Sequence, residues 1–138
     1  MIVVDASIAV KWVMPEPDSD AAGALLTQPL IAPDLWLVEA ANALWRNAAT
    51  KSITELQALQ ALARLRVSPV TTLPSSDYLA SALELATRLH HPIYDCLYLA
   101  LALREDSYVM TADTRFAKAV AVEPKLLKRV QLLGALAD

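Results

Sequence analysis

Short apolar runs alternate with longer segments of helical pattern along the whole chain, and this alternation constrains the fold more than any other feature. The runs, at residues 2–4, 30–32, 67–72, 107–111 and 130–132, are typical of strands. The helical segments cover residues 6–13, 18–27, 34–50, 52–66, 75–89, 93–104 and 114–120. Strands that alternate with helices favour an α/β sandwich around a mainly parallel sheet, and right-handed crossovers then place helices on both of its faces.

Local signals refine this assignment. Pro69 interrupts the run at residues 67–72, so we expect an irregular strand or an edge strand there. Asp34 is a good N-cap for the helix that follows it, and Ser52 with Glu55 has the form of a capping box for the next helix. In that next helix, leucines repeat at helical spacing, at Leu56, Leu59, Leu62 and Leu65.

The composition fits one globular domain that spans residues 1–138. Hydrophobic residues make up 56% of the chain, which excludes intrinsic disorder. The only two glycines are Gly23 and Gly134. The chain therefore contains neither a phosphate-binding P-loop nor a dinucleotide-binding fingerprint, because both need several glycines close together.

The charge balance and the cysteine count limit the partners and the compartment. A net charge of −3 excludes a broad basic surface, so any contact with nucleic acid needs a local basic patch or a metal ion that offsets the carboxylates. The one cysteine, Cys96, cannot form an internal disulfide, which favours the reducing cytoplasm. We expect no signal peptide and no membrane span, since the longest uncharged stretch, residues 21–33, contains two prolines and is shorter than the roughly 20 residues that a span needs.

Four carboxylates occupy unusual places in this pattern. Asp5 lies at the carboxyl end of the first strand, and Asp113 lies just past the end of the strand at residues 107–111. Ligands of open α/β sheets bind outside those strand ends. Asp95 lies in the first turn of a helix that is otherwise apolar nearly all round, and Glu39 lies in the second turn of its helix.

Each carboxylate also has a structural explanation. Asp5 and Asp113 would suit the N-caps of the helices that follow them. Glu39 shares its helix face with Asn42, which is typical of a solvated face. A lone carboxylate at Asp95, by contrast, is unfavourable in an apolar helix unless it is paired, hydrogen-bonded or bound to a cation.

Carboxylates that converge on one point repel each other, and a divalent cation would relieve that repulsion. Mg²⁺ and Mn²⁺ both prefer oxygen ligands. The sequence has no set of cysteines and histidines for zinc, and we interpret the adjacent His90 and His91 as loop residues. A Gly-x-Ser-x-Gly nucleophile motif is also absent from the sequence, which argues against one class of serine hydrolase.

Four segments resemble the PIN-domain ribonucleases and, more narrowly, the VapC toxins of bacterial and archaeal toxin–antitoxin pairs. They are DASIAVKW at residues 5–12, PDLWLVEAANAL at 33–44, HPIYDCLYLA at 91–100 and MTADTRF at 110–116. The resemblance implies a three-layer sandwich with a parallel sheet of about five strands. Some relatives carry a further acid shortly after the fourth one, whereas Thr114, Arg115 and Phe116 follow Asp113 here, which argues against a second tightly held metal.

The resemblance also implies the roles of individual residues. Its acidic quartet corresponds to Asp5, Glu39, Asp95 and Asp113, which would be catalytic and would hold Mg²⁺ or Mn²⁺, with Asp5 and Asp95 as direct ligands. Ser7 and Thr111 match supporting hydroxyl positions, and Asn42 is a candidate contact to substrate or to the quartet. The candidates for RNA phosphate contacts are Arg46, Arg115 and Lys118, together with Lys51, Arg64 and Arg66.

The implied activity is metal-dependent hydrolysis of phosphodiester bonds in a specific RNA, such as tRNA or ribosomal RNA, by an endoribonuclease that acts as a toxin. The implied partners are a cognate VapB-type antitoxin and a second copy of the chain in a homodimer. Two alternatives remain open from the sequence. One is a PIN nuclease that processes RNA without being a toxin, and the other is a PIN-like binding module that does not cut.

Overall fold

The computed structural model describes residues 1–134, and a five-stranded sheet runs through its centre. Every hydrogen-bonded strand pair is parallel, and the order across the sheet is β3-β2-β1-β4-β5. The strands are β1 (Ile2–Val4), β2 (Leu30–Pro33), β3 (Val70–Leu73), β4 (Val109–Thr111) and β5 (Val130–Leu132). The predicted α/β architecture with five parallel strands is confirmed, and β3 is an edge strand as Pro69 led us to expect.

Helices connect the strands within the described residues. They are α1 (Ala6–Val13), α2 (Ser19–Ala24), α3 (Leu35–Ala49), α4 (Glu55–Arg66), α5 (Leu79–Leu89), α6 (Ile93–Arg104) and α7 (Thr114–Ala121). Short 3₁₀ turns occupy Leu25–Thr27, Ser75–Tyr78 and Pro124–Leu126. No helix in residues 1–134 is long and apolar enough to cross a membrane. One domain over residues 1–138 stays a prediction, and residues 135–138 lie outside the described part of the chain.

Apolar side chains cover both faces of the sheet. Alternate residues of a strand point to opposite faces, and in β1 the side chain of Val3 belongs to one buried cluster whereas Ile2 and Val4 belong to a second. Helix α6 lies in the first cluster, where its residues 96–102 are all buried. This burial explains the apolar pattern of α6, and the two clusters make the fold a three-layer sandwich.

The local capping predictions were wrong in detail. Asp34 makes no capping bond to its own helix, and its Oδ1 instead accepts a hydrogen bond from the backbone N–H of Ser75 at 3.0 Å. The capping box of α4 is formed by Thr54 and Gln57, two residues after the predicted pair. The backbone N–H of Gln57 donates to Thr54 Oγ1 at 3.1 Å, and the backbone N–H of Thr54 donates to Gln57 Oε1 at 2.9 Å.

The strand order reverses between β1 and β4. From β1 the chain moves to β2 and β3 on one side, and it then returns to β4 and β5 on the other side. Such a reversal opens a crevice at the carboxyl ends of the strands, where open α/β sheets bind their ligands. Asp5 follows β1 directly, and Asp113 follows β4 after one further residue.

Candidate active site

A pocket of about 800 Å³ lies at this crevice, and all four predicted carboxylates line it. Asp5 and Asp113 come from the strand ends, Glu39 comes from α3, and Asp95 comes from the first turn of α6. The fold thus brings together acids that are separated by up to 108 residues in the chain, from residue 5 to residue 113.

Asp5 is the most buried of these carboxylates, and its side chain is held by three hydrogen bonds. Its Oδ1 accepts from the backbone N–H of Ile8 at 3.2 Å, which caps α1, and from Ser7 Oγ at 2.5 Å. Its Oδ2 accepts from the hydroxyl of Thr111. Burial and, to a smaller extent, the negative charge of Asp95 raise the pKa of Asp5 to about 7, although these hydrogen bonds lower it.

The hydroxyls of Ser7 and Thr111 connect Asp5 to the end of β4. Ser7 Oγ accepts from the backbone N–H of Ala112 at 2.9 Å, and Thr111 Oγ1 accepts from the backbone N–H of Asp113 at 3.1 Å. Because each hydroxyl is bound on its acceptor side, its proton is directed to a carboxylate oxygen of Asp5. Both hydroxyls thus contact a carboxylate of the pocket, and the supporting role that the resemblance implies for them stays a prediction.

Glu39 is held by a tyrosine that the sequence interpretation did not single out. The hydroxyl of Tyr98, a fully buried residue of α6, donates to Glu39 Oε1 at 2.6 Å. Burial raises the pKa of Glu39, this hydrogen bond lowers it, and the charge of Asp95 raises it again. Burial also raises the pKa of Tyr98 well above 10, so the hydroxyl keeps its proton and remains a donor.

Asp95 is bound by His91, for which the sequence predicts only a place in a loop. His91 does lie in the connection between α5 and α6, but its Nε2 is 2.6 Å from Asp95 Oδ2. The imidazole also stacks on the ring of Phe116, with the ring centroids 5.4 Å apart. Burial raises the pKa of Asp95, the contacts with His91 lower it, and the charge of Asp113 raises it.

Both missed partners have a signal in the sequence. Residues three or four positions apart lie on the same face of a helix. Tyr98 follows Asp95 by three residues, and His91 precedes it by four. Spacing from a candidate acid would therefore have selected both residues.

Asp113 has a capping role as well as its place in the pocket. Its Oδ1 accepts from the backbone N–H of Arg115 at 2.9 Å at the start of α7. Capping and pocket lining are thus compatible for Asp113, as they are for Asp5.

The candidate RNA contacts divide into two groups. Asn42 and Arg46 line the pocket on the same face of α3 as Glu39. Arg115 lies outside the lining, but its positive charge lowers the pKa of Asp95. Lys118 is exposed on α7 and does not line the pocket. The sequence interpretation did not include Lys11, a pocket residue whose Nζ donates to Pro17 O at 2.7 Å.

The donor set of the pocket fits a divalent cation with oxygen ligands. The carboxylates are close enough to raise each other's pKa, and a cation would offset that repulsion. Within residues 1–134, no three His, Cys, Asp or Glu side chains are grouped so that together they would hold a metal ion. Among residues 1–134, those that line the pocket supply carboxylate and amide oxygens and include no histidine or cysteine, a donor set that suits Mg²⁺ better than zinc.

Solved structures with this fold are similar to the chain along most of its length. The PAE2754 protein of Pyrobaculum aerophilum is 20% identical, with a TM-score of 0.72 over 98% of this chain and 90% of that one. VapC20 of Mycobacterium tuberculosis, described as a toxin that cleaves the sarcin–ricin loop, is 18% identical, with a TM-score of 0.68 over 86% of this chain and 95% of that one. VapBC2 of Rickettsia felis, solved with a DNA fragment from its promoter, is 18% identical, with a TM-score of 0.64 over 96% and 98%.

Sequence comparison identifies the family. No curated protein sequence is similar enough to the chain to count as a match. The family model of the PIN domain, however, matches residues 2–122, which is most of the chain and includes all four pocket carboxylates. The chain belongs to the PIN domain family.

Proposed function

We propose that the protein is a divalent-metal-dependent endoribonuclease and the toxin of a VapBC-type toxin–antitoxin pair. One observation carries this proposal: four carboxylates from separate elements line a single pocket at the point where the strand order reverses. Family membership supports nuclease activity in general. The choice of RNA as substrate and of Mg²⁺ or Mn²⁺ as cofactor rests on the resemblance and on the oxygen ligands of the pocket.

Asp5 and Asp95 are the direct metal ligands in this proposal, and Glu39 and Asp113 contribute directly or through water. A bound Mg²⁺ or Mn²⁺ would supply charge neutralisation at the phosphodiester and an activated water. The residues around the carboxylates fix their orientation. Ser7 and Thr111 hold Asp5, whereas Tyr98 holds Glu39 at 2.6 Å.

Arg46 is the pocket cation best placed to contact an RNA phosphate, because it lies on the same helix face as Glu39 and lines the same pocket. Lys11 also lines the pocket, but its Nζ is occupied by Glu16 Oε2 at 3.3 Å and by the carbonyl of Pro17. We assign Arg115 and Lys118 to more distant phosphates of the substrate.

The toxin assignment rests on fold-level similarity to VapC20, which is described as a toxin, and to VapBC2. Four further proposals follow from the toxin assignment. The target is a structured RNA such as tRNA or ribosomal RNA, the partner is a VapB-type antitoxin, the protein forms a homodimer, and it acts in the cytoplasm. Single-stranded or loop RNA is the accessible form of such a target, because its unstacked bases can be reached by side chains.

Digestion of total cellular RNA by antitoxin-free protein tests the proposal. We expect discrete fragments with Mg²⁺ or Mn²⁺, and we expect intact RNA with EDTA and with Asp95→Asn. Asp20→Asn is the matched control, because Asp20 is an exposed acid that does not line the pocket. Intact RNA from folded wild-type protein under every condition would contradict the nuclease assignment and favour a PIN-like module that binds without cutting.

A further inference from the structure

Two large apolar side chains stand exposed at the rim of the carboxylate pocket. Tyr94 is 61% exposed and Val38 is 72% exposed, and both line the pocket that contains the four acids. The other large hydrophobic side chains that are exposed within residues 1–134 do not line this pocket. The pair therefore places an accessible apolar surface beside an acidic floor.

The helices that carry the carboxylates also determine where these two side chains lie. Tyr94 precedes Asp95 in the first turn of α6, and Val38 precedes Glu39 in α3. Successive helix residues point about 100° apart, so a side chain next to an inward-pointing carboxylate is directed to the pocket edge. Neither side chain belongs to the buried clusters of the described residues, so packing of the core does not explain why they are apolar.

An acidic pocket repels the phosphates of RNA, so binding beside it benefits from an attraction that does not depend on charge. Base stacking on an aromatic ring is such an attraction, and it tolerates any base because every base has a π-face. Arg46, on the same pocket, offers a positive charge for a neighbouring phosphate. The ring would thus bind a base, Arg46 would bind a neighbouring phosphate, and the carboxylates would bind the metal ion at the phosphate that is cut.

We propose that Tyr94 and Val38 form a nucleobase-binding subsite, in which an unpaired RNA base stacks on the Tyr94 ring while its phosphate lies toward the carboxylates. This inference rests on the proposed function, since it assigns the substrate contact of that same pocket. It makes Tyr94 a residue for substrate binding rather than for the chemical step. Because Tyr94 is largely exposed, its replacement is expected to leave the fold intact.

The test uses a short unstructured RNA that carries one 2-aminopurine, a base analogue whose fluorescence is quenched by stacking. Titration is done with CaCl₂ in place of MgCl₂, and the RNA is checked for integrity on a gel. We expect wild-type protein to quench the fluorescence, and we expect Tyr94→Ala to bind about tenfold more weakly with unchanged thermal stability. Tyr94→Phe keeps the ring and should bind within about twofold of wild type. Trp45→Ala should also bind within about twofold of wild type, because it removes an aromatic side chain that is 64% exposed but does not line the pocket.

Cleavage kinetics give the second measurement. Loss of the stack should raise KM of Tyr94→Ala and leave kcat nearly unchanged. Wild-type affinity and quenching in Tyr94→Ala would overturn the inference. Equal weakening in Tyr94→Phe would also overturn it, because the hydroxyl rather than the ring would then carry the contact. A changed oligomeric state with unchanged RNA affinity would assign the pair to contact between protein chains instead.

These outcomes separate the subsite from the proposed function. If wild-type protein cuts RNA and Tyr94→Ala cuts with the same KM, only the base subsite fails. If wild-type protein cuts no RNA with Mn²⁺, the proposed function fails, and quenching that depends on Tyr94 would still support a base subsite on a non-cutting module.

Discussion

The buried carboxyl of Asp5 predicts that charging this residue destabilises the metal-free protein. Its side chain is 5% exposed, and burial raises its pKa from 3.8 to about 7. Between those values the folded protein holds a proton that the unfolded chain releases, so the free energy of unfolding falls as the pH rises. At about 1.4 kcal/mol per pH unit, this ionisation costs the folded state on the order of 4 kcal/mol above pH 7.

The variant Asp5→Asn removes the charge and keeps the shape of the side chain. A carbonyl oxygen in the place of Oδ1 can still accept from the backbone N–H of Ile8 and from the Ser7 hydroxyl, whereas the NH₂ group in the place of Oδ2 cannot accept from the hydroxyl of Thr111. That change adds a constant term of about 1 kcal/mol for each hydrogen bond lost. This loss is the same at every pH, so it does not affect how the stability difference changes with pH. The free energy of unfolding of Asp5→Asn relative to wild type should therefore rise by roughly 4 kcal/mol from pH 4 to pH 8.

Urea unfolding in EDTA, followed by circular dichroism at several pH values, measures this difference. Asp34→Asn is the control with the opposite sign, because the hydrogen bonds from Ser75 hold the pKa of Asp34 below its usual value. The Asp34 carboxylate stabilises the folded protein until the pH falls below the usual pKa of an aspartate. The stability difference between Asp34→Asn and wild type should therefore not change with pH above pH 5. An equally flat curve for Asp5→Asn would refute the argument from burial.

Three further predictions test single contacts. Tyr98→Phe removes the hydroxyl that holds Glu39, so we expect roughly tenfold slower RNA cleavage and about 1 kcal/mol lower stability; wild-type cleavage rates would exclude a positioning role. In urea unfolding, Thr54→Ala should destabilise the protein by about 1 kcal/mol through loss of the α4 cap, whereas Ser52→Ala should have almost no effect. Burial raises the pKa of Cys96 to about 11, so its thiol should react with a disulfide reagent at pH 8 only after denaturation, and fast reaction of the native protein would be contrary to its burial.

Much of the fold follows from patterns that are local in the sequence. Helix α6 begins and ends where we predicted, because residues 93–104 are apolar nearly all round, as a fully buried helix requires. Strand β1 and helix α1 also have the predicted bounds, since Asp5 ends one and caps the other. In both places one local signal decides the structure.

The features that the sequence did not predict depend on contacts between distant residues. Asp34 has the pattern of a helix cap, but its carboxylate accepts a hydrogen bond from Ser75, which lies 41 residues away. That contact exists only because two connections of the fold pack together. The leucines of α4 repeat at helical spacing, yet Leu56 and Leu59 are 64% and 65% exposed while Leu65 is buried. Periodicity locates an apolar face and does not say how much of it another element covers.

The candidate site shows the same division. Asp5 and Asp113 could be selected because they follow strand ends where open α/β sheets bind ligands, and Asp95 because a lone charge is unfavourable in an apolar helix. Glu39 has the pattern of a solvated helix face, and only the resemblance to PIN-domain ribonucleases selected it. The partners of these acids give a weaker signal. Spacing from Asp95 points to His91 and to Tyr98, but Tyr98 binds a different acid. Its hydroxyl meets Glu39 across 59 residues of sequence, a contact that depends on how α3 and α6 pack.

Titration with MnCl₂, followed by electron paramagnetic resonance, measures whether the carboxylate pocket binds a divalent cation. Free Mn²⁺ gives a sharp signal that weakens on binding. We predict uptake of about one ion per chain by wild-type protein and by Asp20→Asn, with at least tenfold weaker binding by Asp5→Asn and by Asp95→Asn. Equal uptake by all four proteins, or no uptake by the wild type, would exclude a metal site formed by these carboxylates.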